Sequence, residues 1–402
     1  MLSQFSFSNF KSYRTDTTFD FQAEAIPEFA DSLIRSDKAN ALLPVSAIYG
    51  PNGGGKTNLL QALGCLISTV VRPLVELGKS REDLVIQQGC AAQPFLLDST
   101  TRENPVEFEI YFRTAGNEYR YYLALKEEEI TSEYLYWRTL GGKRTGTIFT
   151  RESSEIKLGP IIRKVSINRQ VNPKMPYLSF LAINYDLPAI TPVQRWFESC
   201  IIQSYAVPEI DRRIMMFQNP DAKSIIIRAL NDLGIDISDY RYDQEEHRLY
   251  TERVIDGKAY VLPFEAESDG TRKLLAALPM LLIALKEGRL VIVDELDAKL
   301  HPKLLKYIIR MFKNKEFNRK GAQLLFTSHD LTTMRNTVFR RDEIWFAATD
   351  TAHESQIYSL YDIRNADDSH VNSTASYDKQ YLEGRYGADP YLQNMLDGGA
   401  FS

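Results

Sequence analysis

One eight-residue segment, residues 50–57, constrains the fold of this chain more than any other feature of its sequence. It reads Gly-Pro-Asn-Gly-Gly-Gly-Lys-Thr and fits the phosphate-binding pattern G-x-x-x-x-G-K-[ST]. The apolar residues 45–49 before it predict a buried strand, and residues 58–63 after it predict the start of a helix. A coincidental glycine-rich turn is the alternative, but the flanking strand and helix favour a nucleotide-binding α/β fold.

The residue types in this loop suit phosphate binding for physical reasons. Glycines let the backbone wrap closely round an anion, and successive N–H groups and a helix N-terminus point at it. Lys56 is expected to reach the β- and γ-phosphates, and the hydroxyl of Thr57 to join the coordination shell of Mg²⁺. The residues predicted to bind the nucleotide here are Asn52, Gly53, Gly54, Gly55, Lys56, Thr57 and Asn58.

Composition and charge predict an ordinary globular protein of the cytoplasm. The chain has 402 residues, of which 44% are hydrophobic and 25% charged, and its formal net charge is -5. It therefore lacks the global basic excess that often accompanies nucleic-acid binding, although a local groove can still be basic. The three cysteines lie far apart without a C-x-x-C pair, which excludes a zinc ribbon or a disulfide framework.

The sequence gives no sign of a membrane segment. The N-terminus lacks the basic region and the long apolar region of a signal peptide. The most apolar run, residues 274–285, contains Pro279 and falls well short of the ~20 residues that span a bilayer. We therefore expect no membrane partner.

The period of the apolar residues changes along the chain and predicts three regions. Residues 1–165 combine the phosphate loop with an antiparallel β meander and form the N-terminal part of the nucleotide-binding lobe. Residues 166–240 turn helical and are predicted to form an inserted lobe. Residues 241–402 return to alternating strands and helices and form the C-terminal part of the same nucleotide-binding lobe. No heptad array is long enough for a coiled coil.

Four local predictions depend on short stretches of sequence. Pro73 is expected to kink or end the helix after the phosphate loop, because proline lacks the N–H that a helix interior needs. Residues 193–204 and residues 210–216 are each predicted to be helical. Residues 20–40 are predicted to be a loop with one short helix.

A second apolar strand carries two acids at its end. Residues 290–293 read Leu-Val-Ile-Val, and Asp294 and Glu295 follow. A continuous apolar run is typical of a strand buried on both faces, and the carboxyl end of such a strand is where open α/β sheets bind ligands. Asp294 is expected to hold Mg²⁺, directly or through water, and Glu295 to polarise the attacking water as general base. An acidic turn after a core strand is the structural alternative.

Two more motifs lie at the ends of predicted elements, one before a helix and one after a strand. Residues 268–271, Ser-Asp-Gly-Thr, precede a long predicted helix. Serine in this position caps a helix well, and a capped helix N-terminus is also an anion site, so both interpretations hold together. Residues 324–329 read Leu-Leu-Phe-Thr-Ser-His, so His329 lies at the end of another predicted strand.

In order and content these motifs resemble ATP-binding-cassette-type ATPases of the branch that contains RecF, the heads of structural-maintenance-of-chromosomes proteins and the overcoming-lysogenisation-defect proteins. More narrowly, the chain is similar to stand-alone bacterial ATPases of the RloA type and to the ATPase of the PARIS anti-phage system. The shared segments are 267–271, 294–302, 340–346 and 381–388. The resemblance implies an α/β, P-loop nucleotide-binding domain with an antiparallel β subdomain and an inserted helical lobe.

The resemblance also implies how ATP and Mg²⁺ are held. Two protomers bind head to tail, and each ATP lies between Lys56 of one protomer and the signature motif of the other. His329 corresponds to the switch histidine that contacts the γ-phosphate, and Lys11 and Ser12 to an N-terminal motif beside the nucleotide. The signature residues that act in trans are Ser268, Asp269, Gly270 and Thr271.

The function that the resemblance implies is a molecular switch in anti-phage defence. ATP closes the dimer and hydrolysis reopens it. The assembly is a homodimer or a higher oligomer built from dimers, a separate toxin or nuclease is the effector, and a phage component or DNA is the trigger. The alternative is a RecF-like DNA-repair ATPase that acts directly on DNA. A GTPase is disfavoured, because residues 314–317 lack the aspartate of a guanine-reading motif.

Three departures from the family pattern point to slow turnover. Asp269 stands where transporters carry glycine. His301 replaces the usual aspartate of the loop that crosses the dimer interface. The glutamine that normally contacts Mg²⁺ has three candidates, Gln87, Gln88 and Gln93, and the sequence does not choose between them.

Overall fold

A computed structural model describes residues 1–78, 91–163, 165–204, 220–243, 245–246, 248–298, 300–365 and 367–388. These residues form two compact units. The P-loop unit consists of residues 2–199 and the described residues from 334 onward. The acidic-strand unit, named for the strand that ends at Asp294, consists of Met1 and residues 200–333.

The described residues form eighteen strands and seven α-helices. The strands are β1 Leu2–Ser8, β2 Thr17–Asp20, β3 Ile34–Ser36, β4 Ala39–Leu42, β5 Val45–Tyr49, β6 Val106–Thr114, β7 Asn117–Lys126, β8 Glu129–Thr139, β9 Gly146–Glu152, β10 Glu155–Leu158, β11 Ile201–Ser204, β12 Asp239–Asp243, β13 Arg248–Ile255, β14 Lys258–Pro263, β15 Leu290–Asp294, β16 Gln323–Thr327, β17 Ile344–Thr349 and β18 Ser355–Ser359. The α-helices are α1 Lys56–Glu76, α2 Tyr177–Asn184, α3 Thr191–Ser199, α4 Pro220–Asp232, α5 Asp269–Glu287, α6 Pro302–Lys313 and α7 Tyr377–Leu382.

The P-loop unit contains a seven-stranded antiparallel sheet in the order β10-β9-β8-β7-β6-β1-β2. Ala115 and Gly116 adopt positive φ in the tight turn between β6 and β7, as a two-residue hairpin requires. Alternate residues of β6 are buried, and Phe108 stacks on Phe5 of β1 in the core. In the same unit β5 pairs in parallel with β17, and β17 pairs antiparallel with β18. The predicted meander and the α/β fold class are confirmed.

Helix α1 is the longest of the P-loop unit, and α2 and α3 pack against it. Pro73 was predicted to kink or end this helix, and it does not end it, because α1 continues to Glu76. Pro73 lies in the last turn, where its missing N–H removes only one main-chain hydrogen bond, and its carbonyl still accepts from the N–H of Leu77 at 3.2 Å. By length and composition α1 could cross a membrane, but 67% of its most apolar window is buried inside the protein. It is a core helix.

In the acidic-strand unit, β11, β15 and β16 form a parallel sheet in that order. All five residues of β16 and the first four of β15 are buried, as their continuous apolar sequence predicts. The prediction of one helix over 193–204 is wrong, because α3 ends at Ser199 and residues 201–204 form β11. The β-branched residues Ile201 and Ile202 pair there with Val291 and Ile292, a ladder that a local pattern does not reveal.

The segment between β2 and β5 also differs from its prediction. Residues 20–40 were expected to be a loop with a short helix, and a three-residue 3₁₀ turn is present at Ala30–Ser32. β3 and β4 then pair as a small antiparallel hairpin. The predicted helix 210–216 lies outside the described residues. The three-region division at residues 165 and 240 stays a prediction: α2 and α3 belong to the P-loop unit, and α4 belongs to the acidic-strand unit.

Candidate functional site

The loop after β5 has the close-packed backbone that its glycines require. Gly50 has φ 145° and Gly55 has φ 102°, in the region that favours glycine. A Cβ on Gly50 would lie 2.1 Å from the carbonyl oxygen of Ala347 in β17, and one on Gly54 would lie 2.5 Å from the same atom. The glycines are therefore fixed by packing as well as by backbone conformation, and the loop has little freedom to take another shape.

Lys56 begins α1 and turns its side chain back into this loop. Its Nζ donates to the carbonyl oxygens of Gly50 at 2.8 Å and Pro51 at 2.9 Å, and the residue is only 7% exposed. Asn52, Gly53 and Thr57 are exposed. The result is a loop that surrounds a positive charge at the N-terminus of a long helix, which is the arrangement that binds phosphate groups.

The N-terminal motif, Lys11 and Ser12, lies against the start of this helix. The Oγ of Ser12 accepts from Nδ2 of Asn58 at 2.8 Å and from Oγ of Ser355 at 2.8 Å. The Nζ of Lys11 donates to Oε1 of Gln61 in α1 at 2.5 Å. Residues 11 and 12 are thus brought together with the first turns of α1, beside the phosphate loop.

A buried asparagine explains why this motif has its shape, and the sequence analysis did not assign it a role. Asn9 has φ 54° and is 5% exposed. Its Nδ2 donates to the carbonyl oxygens of Thr101, Asn104 and Pro105 at 2.8, 3.0 and 3.1 Å, and its Oδ1 accepts from the N–H of Phe95 at 3.0 Å. Asn9 therefore fixes residues 95–105 to the strand that leads into Lys11.

One of the three candidate glutamines has a described position. Gln93 is exposed, and its carbonyl oxygen accepts from the N–H of Lys11 at 2.9 Å. Gln87 and Gln88 lie outside the described residues. Gln93 is therefore tethered next to the motif that borders the phosphate loop.

The acidic pair at the end of β15 is organised by a threonine that the sequence analysis missed. The Oγ1 of Thr327, at the end of β16, donates to Oδ1 of Asp294 at 2.7 Å and accepts from the N–H of Glu295 at 2.7 Å. Thr327 is 1% exposed, whereas both acids are partly exposed. The only sequence signal was a threonine at the end of an apolar strand. Nothing in the local sequence connected it with Asp294 and Glu295, which lie more than thirty positions earlier in the chain.

Glu295 has an unusual backbone. Its φ is 54°, in the left-handed region that costs a non-glycine residue roughly 1–2 kcal/mol. Its carbonyl oxygen accepts from Nζ of Lys273 in α5 at 3.0 Å, and the same Nζ also donates to the carbonyl oxygen of Ala298. Lys273 is completely buried. Neighbouring groups therefore hold the turn after β15 in a conformation that Glu295 alone would not favour.

Residues 268–271 cap α5, as predicted. The Oγ of Ser268 accepts from the N–H of Thr271 at 3.2 Å, and the two hydroxyl oxygens lie 2.9 Å apart. Ser268 and Asp269 are exposed, Gly270 is half-buried, and Asp269 forms an ion pair with Arg272. The N-terminus of α5 is thus capped and open to solvent at the same time.

The residue before this cap is locked to the neighbouring hairpin. Arg253 of β13 donates from Nη2 to Oε2 of Glu267 at 2.7 Å and from Nη1 to Oε1 at 2.5 Å, and Thr251 also donates to Oε1. Burial alone would raise the pKa of the Glu267 carboxyl, but these donors outweigh it and hold that pKa below its ordinary value. Glu267 therefore anchors the signature segment through its ionised form.

We expect Glu267→Gln to lower the free energy of unfolding by about 1.5–3 kcal/mol at pH 7, because hydrogen bonds to a charged carboxylate are lost. A carboxyl with a lowered folded pKa stabilises the protein above its unfolded pKa and loses that contribution as pH falls through the folded value. The difference between wild type and variant should therefore shrink below about pH 4.3. Urea unfolding between pH 3 and 7 measures it, and a pH-independent difference would contradict the ion-pair account.

His329 and His301 have different environments. His329 is exposed, and its main-chain N–H donates to Oδ2 of Asp297 at 2.9 Å. The other carboxylate oxygen of Asp297, Oδ1, is buried without a hydrogen-bond partner. His301 is the N-cap of α6, and its Nδ1 accepts from the N–H of Lys303 at 3.2 Å. His301 thus has a local structural role, whereas the ring of His329 faces solvent.

Thr57 and Asp294, the two residues predicted to hold Mg²⁺, each supply an oxygen ligand of the kind this ion prefers. Among the described residues, no group of three or more His, Cys, Asp or Glu side chains is placed to hold a metal ion. Thr57 is an exposed residue of the P-loop unit, and Asp294 is a partly exposed residue of the acidic-strand unit. Mg²⁺ typically takes one or two protein oxygens and completes its shell with phosphate oxygens and water.

Comparison with known families and proteins gives one clear match. The family model described as "AAA domain, putative AbiEii toxin, Type IV TA system" matches residues 45–335, which is well over half of the chain. That range begins at β5 and includes the phosphate loop, the α5 cap and both acids of β15. No curated protein matches the sequence.

Several solved structures are similar to this chain at low identity. The SMC head domain from Thermotoga maritima is 14% identical with a TM-score of 0.44, and the match covers 89% of this chain and 98% of that one. The ATP-binding cassette MJ0796, a dimer in a post-hydrolysis state with ADP and phosphate bound, is 11% identical with a TM-score of 0.29 and coverage of 86% and 94%. Likenesses of this extent carry no information about the ligand of this chain.

Proposed function

The chain belongs to the family of AAA domains whose model spans residues 45–335, and from this premise we propose that it is a Mg²⁺-dependent ATPase that dimerises through its nucleotides. The observation that carries the proposal is the phosphate loop, in which Lys56 is held inside a rigid glycine backbone at a helix N-terminus. Thr57, Asn58, Lys11 and Ser12 border the same loop and are assigned to ATP binding.

The chemistry is assigned to the turn after β15. Asp294 and Thr57 are the proposed protein ligands of Mg²⁺, which would neutralise charge on the phosphates. Glu295 is the proposed general base, since it is partly exposed and its backbone is fixed by Thr327. His329, with its ring in solvent, is proposed to contact the γ-phosphate and so to distinguish ATP from ADP.

The signature motif is assigned to the nucleotide of a second protomer. The N-terminus of α5 is capped by Ser268, exposed and rich in N–H donors, which makes it suitable for an anion that arrives from outside. In the proposed dimer each ATP lies between Lys56 of one protomer and Ser268, Asp269, Gly270 and Thr271 of the other. ATP then closes the dimer, and hydrolysis opens it.

We further propose that the dimer controls a separate toxin or nuclease in anti-phage defence in the cytoplasm. The resemblance to RloA-type and PARIS-type ATPases supports this role, and the description of the matched family names a toxin and a type IV toxin–antitoxin system. Under this proposal the ATP-closed and open forms differ in whether the effector is restrained. DNA or a phage component is the proposed trigger.

A mixing experiment tests the composite site. Lys56→Ala should lose ATP binding, and Ser268→Asp should keep the helix cap but place a carboxylate against the γ-phosphate. Each variant alone should form few nucleotide-containing dimers. In an equal mixture, half of the dimers are mixed and each contains one intact site, so about a quarter of the dimer-bound nucleotide of wild type should return, measured with a labelled non-hydrolysable ATP analogue on a sizing column. Ser268→Asn is the matched control, because it caps the helix without adding charge.

The result separates the alternatives. Failure of the mixture to recover nucleotide-containing dimers, while light scattering shows ATP-dependent dimers of the wild type, would contradict a site shared between protomers. Wild-type protein that stays monomeric with ATP would contradict nucleotide-driven dimerisation. Salt-dependent DNA binding by the isolated protein would instead favour the RecF-like alternative.

A further inference from the structure

Lys273 connects the signature helix to the turn that carries Glu295. It lies in α5, five residues after Ser268, and its side chain is completely buried. Its Nζ donates to the carbonyl oxygen of Glu295 at 3.0 Å and to the carbonyl oxygen of Ala298. One ammonium group thus holds the first and fourth residues of the turn that follows Asp294.

A buried ammonium is an unusual choice for a helix that is otherwise packed in the core. The next residues, Leu274 and Leu275, are apolar and buried, and a residue of that kind at position 273 would avoid removing a charge from water. The carbonyl oxygens that Lys273 contacts belong to a turn in which Glu295 has φ 54°. The lysine therefore supports a backbone that needs outside support, next to the proposed general base.

We propose that Lys273 is a positioning residue, which aims the carboxylate of Glu295 and couples it to the signature motif on the same helix. The inference rests on the proposed function. Five residues of α-helix span about 7.5 Å, so Ser268 and Lys273 move as parts of one rigid element. When Ser268 binds the nucleotide of the second protomer, α5 is fixed, and Lys273 then fixes Glu295 of its own protomer.

This arrangement makes hydrolysis in one site depend on the occupancy of the other. Each protomer presents its signature motif to the nucleotide of its partner. When that nucleotide fixes α5, Lys273 fixes Glu295 of the same protomer. Without Lys273 the two sites should still bind nucleotide, but the carboxylate of Glu295 should no longer be positioned to activate the attacking water.

The test uses Lys273→Met, which keeps the length of the side chain and removes its donors. Lys286→Met is the matched control, because Lys286 lies in the last turn of the same helix and is exposed. Lys273→Met should bind ATP normally, with an unchanged KM, while kcat falls about 10–100-fold, since a misplacement of about 1 Å can cost a factor of about 10². Lys286→Met should leave both constants within about twofold of wild type.

Two further measurements separate positioning from a general structural role. Adding Lys273→Met to Glu295→Gln should lower the residual rate by less than about twofold, because both changes remove the same step. Hydrogen exchange at the amides of residues 295–298 should accelerate in Lys273→Met and stay unchanged in Lys286→Met. Lys273→Gln, which retains a donor, should restore part of the protection and part of kcat, and it replaces Lys273→Met if that variant does not fold.

The outcomes also distinguish this inference from the proposed function. If wild-type protein does not hydrolyse ATP but exchange at residues 295–298 still depends on Lys273, the ATPase proposal fails and the positioning contact stands. If wild type hydrolyses ATP and Lys273→Met keeps its kcat and its exchange protection, the inference is overturned. A uniform loss of protection across the acidic-strand unit would also overturn it, because Lys273 would then be a core residue without a directed effect.

Discussion

Glu295→Gln is expected to stop ATP hydrolysis while ATP binding remains. Glutamine has the same shape as glutamate but cannot take a proton from water, and a general base typically contributes about 10²–10⁴-fold. The backbone contacts to Thr327 and Lys273 use main-chain atoms of Glu295, so the substitution leaves them in place. Phosphate release should fall at least about a hundredfold, and titration with ATP should give a dissociation constant close to that of wild type.

The same variant should also trap the closed dimer. Without hydrolysis nothing removes the γ-phosphate that joins the two protomers, so light scattering in ATP should show a persistent dimer that ADP does not support. Glu316→Gln is the matched control, because Glu316 is an exposed carboxylate of the same unit, after α6. Hydrolysis at the wild-type rate by Glu295→Gln would remove the assignment of the base.

Much of the nucleotide-binding half was accessible from sequence because it is encoded locally. The phosphate loop, its strand and its helix lie within residues 45–76, so the pattern and its structural context are read together. The meander from β6 to β10 was equally accessible, because alternation and short turns act between adjacent strands. The cap at Ser268 is a local hydrogen bond and was predicted for that reason.

The missed residues act over long sequence distances. Thr327 holds Asp294 from the neighbouring strand, and Lys273 holds Glu295 from the preceding helix. Their residue types are unremarkable where they stand, and only the parallel pairing of β15 with β16 brings the first pair together. The error at residues 201–204 has the same origin, since Ile-Ile after a helical pattern becomes a strand only when β15 lies beside it.

Backbone geometry is the other part that local patterns did not supply. Glu295 and Asn9 both have positive φ, yet neither position carries glycine. In each case surrounding groups hold the conformation: Lys273 and Thr327 for Glu295, and the carbonyl groups of residues 101, 104 and 105 for Asn9. Propensity argues against such conformations, so only the assembled structure reveals them.

The largest stability effect is expected at Glu133, which is completely buried in β8. Its carboxylate accepts from the N–H groups of Tyr177 at 2.6 Å and Leu178 at 2.9 Å, at the start of α2, and from the hydroxyl of Tyr121 at 2.9 Å. Burial raises the pKa of this carboxyl, against the effect of these donors and of Arg151. Glu133 therefore supplies the N-terminal cap that Pro176, the residue before α2, does not provide.

Glu133→Ala should lower the free energy of unfolding by about 3–5 kcal/mol, because it leaves two helix N–H groups buried without their acceptor and removes the carboxylate that lies 3.7 Å from the buried guanidinium of Arg151. Glu133→Gln should cost less, since its amide oxygen can still accept from one of them. Glu129→Ala is the matched control in the same strand, because Glu129 is exposed and its removal should change stability by less than about 0.5 kcal/mol. Urea unfolding followed by circular dichroism measures all three. A loss at Glu133→Ala no larger than that at Glu129→Ala would contradict the capping role, and with it the attachment of α2 to the meander.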